Sequence, residues 1–185
     1  MKRIPLSLFT FLFLLSGLCA APTKTVWQIG EKNHSASELA LSPDKYKEFL
    51  ANDFGWEDRF YIIGLSSPQK DFPYVLPGPA DHWGGTSYTA GIRTHVLNIL
   101  FGMKEVPETD SWKLIIDLLD THHELPALFK ITINGKSWKY ALPKGSGKSI
   151  DGDYSQIKPH TIEIPLNAGV IRKGSNSIAL MDSLR

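Results

Sequence analysis

Fifteen residues, "DFPYVLPGPADHWGG" (Asp71 to Gly85), concentrate the chain's most suggestive side chains. They hold three aromatics, three prolines and three glycines. Proline offers no ladder N–H and clashes within a helix, so a central strand and a helix are both excluded. The stretch reads as a long loop. Sugar rings present apolar C–H faces on which flat side chains stack, while amides and carboxylates bond the hydroxyls. Tyr74 and Trp83, with Tyr88 just beyond, supply the flat surfaces. Asp71 and Asp81, with His82, supply the polar partners. The competing reading is packing: Phe72 and Trp83 plug a core, and the prolines stiffen the crossing. We read Phe72 as core, and Tyr74, Trp83 and Tyr88 as the candidates for exposure on a binding loop.

Other clusters invite chemistry less specifically. "SIDGDYSQ" sets Asp151 and Asp153 around Gly152, a geometry in which paired carboxylates and backbone carbonyls can hold calcium. No glutamate follows at the spacing of an EF-hand, and a solvated turn is the alternative. "DTHHEL" carries His122 and His123 side by side; on a strand they would face opposite sides, which argues against a shared metal ion. "GSGKS" (Gly145 to Ser149) resembles a phosphate loop only in part. Leu142 stands where the first glycine should be, and the surroundings are not strand-then-helix. It reads as a flexible loop. A lyase would need a base and a group that neutralises a uronate carboxylate. No spacing of lysine, arginine or histidine singles out such a pair. The expectation is therefore no catalytic set and no cofactor, with structural calcium as the one exception.

The chain opens "MKRIPLSLFTFLFLLSGLCAAP". Lys2 and Arg3, an apolar run from Leu6 to Leu15 and small residues at Ala20 and Ala21 form the layout of a secretory signal peptide, residues 1–20. The run is shorter than the ~20 residues that span a bilayer. Cys19, the single cysteine, lies inside it. Leu18 stands where a lipid-anchored protein has a small residue, which argues against an anchor there. After cleavage no cysteine remains, which excludes thiol nucleophiles and cysteine-based zinc sites. Residues 21–185 suit one domain. Without Lys2 and Arg3, the 20 basic side chains fall to 18, against 19 acidic ones. No basic stripe marks a nucleic-acid surface.

The elements that must position these residues are mostly strands. "TVWQIG" (25–30), "RFYIIG" (59–64), "RTHVLNILF" (93–101) and "SWKLIIDLLD" (111–120) are strand candidates. "LFKITING" and "KSWKYAL" flank Asn134-Gly135, a hairpin signal. "HTIEIPL" and "NSIALMD" complete the set. Trp27 and Trp112 read as core. Trp138 and Tyr140 share one strand face, either as inter-sheet core or as a sugar platform. One helix is expected within "LSPDKYKEFLAND" (41–53), with Ser42 as cap and Pro43 in the first turn. The pattern is an all-β sandwich with one short helix.

"VWQIG", "FYIIG", "DFPYVLPGP" with Trp83, "ITINGK" and "GSNSI", in that order, resemble the carbohydrate-binding-like third domain of rhamnogalacturonan lyases, polysaccharide lyase family 4. The resemblance implies a jelly-roll-like, galactose-binding-like sandwich that binds pectic polysaccharide or braces an enzyme that does. Catalysis in those lyases belongs to another domain, so no catalytic residue carries over. Structural calcium is common in secreted sandwiches of this type. The family tends to close with one further strand after "GSNSI", whereas this sequence stops at Arg185. Hence we expect a shortened module whose last strand has an open neighbour position. The alternatives are a fragment of a polysaccharide lyase or glycoside hydrolase, and a structural interaction domain without a sugar site.

Overall fold

The computed structural model describes residues 24–42, 58–76, 96–106, 111–149 and 152–183. Seven strands and one helical turn follow in chain order. They are β1 (Arg59–Ile62), α1 (Pro68–Asp71), β2 (Leu97–Met103), β3 (Trp112–Leu118), β4 (Leu128–Ile133), β5 (Lys136–Ala141), β6 (His160–Leu166) and β7 (Gly174–Ser183). Five strands form one sheet in the order β1-β2-β7-β4-β5, and β3 pairs with β6 in a second.

Alternation explains which face is buried. Leu97, Ile99 and Phe101 of β2 point inward, as do Phe129, Ile131 and Ile133 of β4 and Ile162, Ile164 and Leu166 of β6. These residues, with Ile178 and Leu180 of β7, belong to one apolar cluster that spans both sheets. The molecule is an all-β sandwich, and burial of these side chains is its main driving force. Asn134 and Gly135 turn the β4–β5 hairpin with φ of 47° and 88°, the left-handed pair that such a two-residue turn requires. Trp138 and Tyr140 lie opposite Ile131 and Phe129 and pack against the cluster, so this pair is inter-sheet core rather than a platform.

Three expectations are corrected. Residues 25–30 form no strand. Trp27 and Ile29 nevertheless pack on the core, with Trp27 tilted on Phe101 at 5.3 Å. A period of two reports which side chains are buried, not whether the backbone joins a ladder. Gln28 Nε2 donates to Gly30 O within the segment. The last strand is not at an edge: β7 lies between β2, which pairs with its residues 174–180, and β4, which pairs with residues 178–183. The helical turn is at Pro68–Asp71, so Asp71 closes a helix rather than opening a loop. The helix expected within 41–53 falls, from residue 43 on, outside the described residues.

Candidate functional site

β1 and β2 are adjacent and parallel, with Arg59 opposite Leu97. Two parallel neighbours cannot be joined by a tight turn, because the chain must return along the sandwich before the second strand starts. The connection leaves β1 at Ile63, and its described start carries Phe72 onto the core. Its start is anchored. Ser67 precedes α1 and Pro68 opens it; the Ser67 N–H donates to Asp71 Oδ2 at 2.7 Å. Phe72 then packs edge-on against Tyr61, centroids 5.6 Å apart. The Ala40 N–H donates to Phe72 O at 3.0 Å, and Pro73 is bridged to Ala40. Burial raises the Tyr61 hydroxyl pKa, and the Asp71 charge adds to that.

Phe72 is thus a wedge beneath the sheet edge. Tyr74 follows it, half-buried, at the point where the chain leaves this anchor. Asp71 and Tyr74 are therefore brought to one edge of the sandwich, with the Asp71 carboxylate engaged by helix α1. Trp83, Tyr88 and Asp81 lie outside the described residues, as does Asp151.

Asp153 is exposed and accepts hydrogen bonds from the N–H and hydroxyl of Ser155. Those bonds, with the Lys148 charge, hold its carboxyl below the usual range. Among the described residues no group of three or more histidine, cysteine or acidic side chains could hold a metal ion.

The stretches that suggested metal and phosphate chemistry are two halves of one clamp. Asp120 accepts hydrogen bonds from the N–H and hydroxyl of Ser146 and from the Lys148 N–H at 3.2 Å. Partial burial alone would raise the Asp120 carboxyl, but the bonds from Ser146, Thr121 and Lys158 outweigh it and hold the pKa low. Gly145 N–H donates to His122 O and Gly147 N–H to Thr121 O. A Cβ on Gly145 would collide with Thr121 and Asp120, so only glycine lets the two loops approach this closely. The "GSGKS" loop is consequently tied down, not flexible. His122 and His123 lie in a loop, not a strand, and their rings stack at 4.7 Å instead of facing opposite sides. His122 Nδ1 is occupied as acceptor for the N–H groups of Glu124 and Leu125.

At the opposite end of the sandwich, "ITINGK" meets "GSNSI". Asn176 is buried and its Nδ2 donates to Arg172 O and Gly174 O at 2.7 and 3.1 Å. Its Oδ1 accepts from Arg172 N–H at 3.0 Å and from Asn134 Nδ2 at 2.7 Å. Asn134 Oδ1 in turn accepts the Ser177 N–H. These motif residues clasp the hairpin to the start of β7; their role is architectural. Beside the clasp, on the outer face of the larger sheet, a cleft of about 360 Å³ runs between Ile62, Leu100 and Gly102 on one side and Arg172, Ser175 and Ser177 on the other. No sequence pattern marked it, because its walls come from three separate segments.

The fold is that of a carbohydrate-binding-like β-sandwich, and neither loop clamp nor cleft assembles a recognisable catalytic set from the described residues. The family model described as "CBM-like: Polysaccharide lyase family 4, domain III" matches residues 25–184, and the chain belongs to that family. No curated protein matches the chain. Among the described residues no helix is long and apolar enough to cross a membrane.

Proposed function

We propose that this chain is a secreted carbohydrate-binding module that holds plant cell-wall pectic polysaccharide, in the service of a polysaccharide-degrading catalytic domain. Membership of the third-domain family over residues 25–184 is the observation that carries the reading. The N-terminal apolar segment supports export, and the family itself suits an extracellular protein. The connection from β1 to β2 supports a site near the sandwich edge: its described start carries Asp71 and Tyr74, and its sequence continues to Asp81, Trp83 and Tyr88. In this reading the aromatic rings stack on sugar faces, Asp81 bonds hydroxyls, and Asp71 holds helix α1 in place beneath the loop. A structural calcium at Asp151 and Asp153 would stiffen the neighbouring turn without entering the sugar site.

Affinity electrophoresis through rhamnogalacturonan-containing gels tests the proposal. The parent is expected to be retarded, and Trp83→Ala and Tyr74→Ala to run freely. Variants that both migrate like a retarded parent would place the site elsewhere. The same purified protein, incubated with rhamnogalacturonan, is expected to give no unsaturated-uronide absorbance. A signal lost on mutation of one of its own lysines or histidines would favour the lyase reading instead.

A further inference from the structure

We infer that the cleft between β1, β2 and the start of β7 is a second saccharide subsite, one that selects an anionic sugar by pairing Arg172 with a uronate carboxylate. The inference rests on the carbohydrate-binding reading above and names a ligand class for a different surface.

The outer face of this part of the sheet sets Gly102, Ser175 and Ser177 beside Leu100. Leu100 lies opposite Ser177 and Gly102 opposite Ser175, all pointing away from the core that their neighbours fill. At Gly102 a Cβ would meet no atom within 4 Å, so the floor of the trough is bare backbone. On one side Ile62 exposes 39% of its surface, and Phe60, two residues along the same edge strand, exposes 59%. Leu65, in the turn after β1, is 83% exposed. An edge strand that exposes a phenylalanine and an isoleucine, followed by a turn that exposes a leucine, offers an apolar wall of the kind a sugar C–H face covers. On the other side stand two serine hydroxyls and a guanidinium. Among the described lining residues there is no carboxylate, and Arg172 is the one charged group. The field in the cleft therefore favours an anion, and a planar guanidinium matches a carboxylate with two parallel hydrogen bonds.

Arg172 is also held in place. Both its backbone N–H and its carbonyl are bonded to the buried Asn176 side chain, so the residue leaves the clasp at a fixed point while its side chain remains exposed. Pre-positioning of this kind lowers the ordering cost of binding. The volume, about 360 Å³, lies at the small end of ligand sites and suits one or two sugar rings.

The test is an amide NMR titration of the mature protein with a galacturonate trisaccharide and with its fully methyl-esterified form. The trisaccharide is expected to shift the amides of Gly102 and of residues 172–177. Arg172→Gln should lower its affinity roughly 10- to 100-fold while leaving the melting temperature unchanged. Gly102→Val, whose Cβ has room, should fill the trough and abolish the same shifts. Equal binding of the methyl ester by the parent would overturn the carboxylate assignment. Shifts confined to Tyr74 and the residues after it, with Arg172→Gln binding normally, would overturn the second subsite and leave the proposed function standing. Absence of any binding, to trisaccharide or to rhamnogalacturonan, would sink both.

Discussion

Truncation of Asn176 to alanine removes the centre of the clasp. Four hydrogen bonds go at once: two donated to Arg172 O and Gly174 O, and two accepted from Arg172 N–H and Asn134 Nδ2. A buried polar group left without a partner costs about 1–3 kcal/mol. The total is smaller than the sum, because Arg172 and Gly174 are exposed residues that water can reach and Asn134 Nδ2 keeps its bond to Val170 O. We expect a loss of about 2–4 kcal/mol, against a usual margin of about 5–15 kcal/mol. For a domain of this size that is a fall of about 4–16 °C in melting temperature.

Asn176→Asp sharpens the test. Its Oδ1 can still accept two bonds, but a second oxygen now faces two carbonyl oxygens. Buried there, the new carboxyl has its pKa raised above the unfolded value of about 4. Below that value it is protonated in both states and costs little. As the pH rises towards the folded pKa the cost grows, by at most about 1.4 kcal/mol per pH unit, and then levels off. The assay is urea unfolding of parent and both variants at pH 4.5, 6.0 and 7.5, each variant scored against the parent at the same pH. Asn176→Ala should show a pH-independent deficit and Asn176→Asp one that deepens from pH 4.5 to 7.5. A deficit under about 1 kcal/mol for the alanine variant, below the cost of one stranded group, or a flat profile for the aspartate variant, would refute the clasp as described.

Asp120→Asn should cost about 1–3 kcal/mol at pH 7, because a carboxylate with a lowered pKa accepts the Ser146 and Lys148 bonds. A lowered folded pKa stabilises above the unfolded value of about 3.9 and the benefit is lost as the pH falls through the folded value, so the gap between parent and variant should close below about pH 4 in urea melts. Asp117, held low by Lys32 and Thr161 despite partial burial, adds to the same acid sensitivity in the parent. Gly145→Ala should part the two loops and be at least as costly, with loss of hydrogen-exchange protection at Ser146 and Gly147 as its signature. Trp27→Ala should lower stability by about 2–3 kcal/mol in thermal melts and leave trisaccharide binding intact, since Trp27 packs inside on Phe101.

Some of this was legible in residue order and some was not. The alternation in "LNILF", "LFKITI" and "HTIEIPL" marks three strands correctly, because a strand with one buried face must alternate. Asn134-Gly135 announces its hairpin because turn geometry is a local property of two residues. The same rule misreads "TVWQI": alternate burial is visible in a sequence, but whether a neighbouring strand is there to accept the ladder is not. Of the candidate site, Phe72 as core could be read from its place among prolines, whereas Tyr74, expected to be exposed, is half-buried. Neither "DTHHEL" nor "GSGKS" reads as a metal or phosphate site, but the tie between them, which overturns the strand reading of the one and the flexible-loop reading of the other, is visible in neither stretch. Polar side chains selected to satisfy one another look, in sequence, like side chains waiting for a ligand, and Asp120 and Ser146 are 26 positions apart.

By itself, then, the sequence determined the class of fold, most of the strands, the hairpin and the family, all of which depend on short-range pattern or on motif order. Tertiary structure alone decided the parallel pairing of β1 with β2, and the central place of β7, where an edge was expected. It also decided the clasp between Asn134 and Asn176, 42 residues apart, and the cleft that gathers Ile62, Leu100, Arg172 and Ser177. Pairing partners and concave surfaces are set by which distant segments bury their apolar faces together, and no local signal encodes that choice.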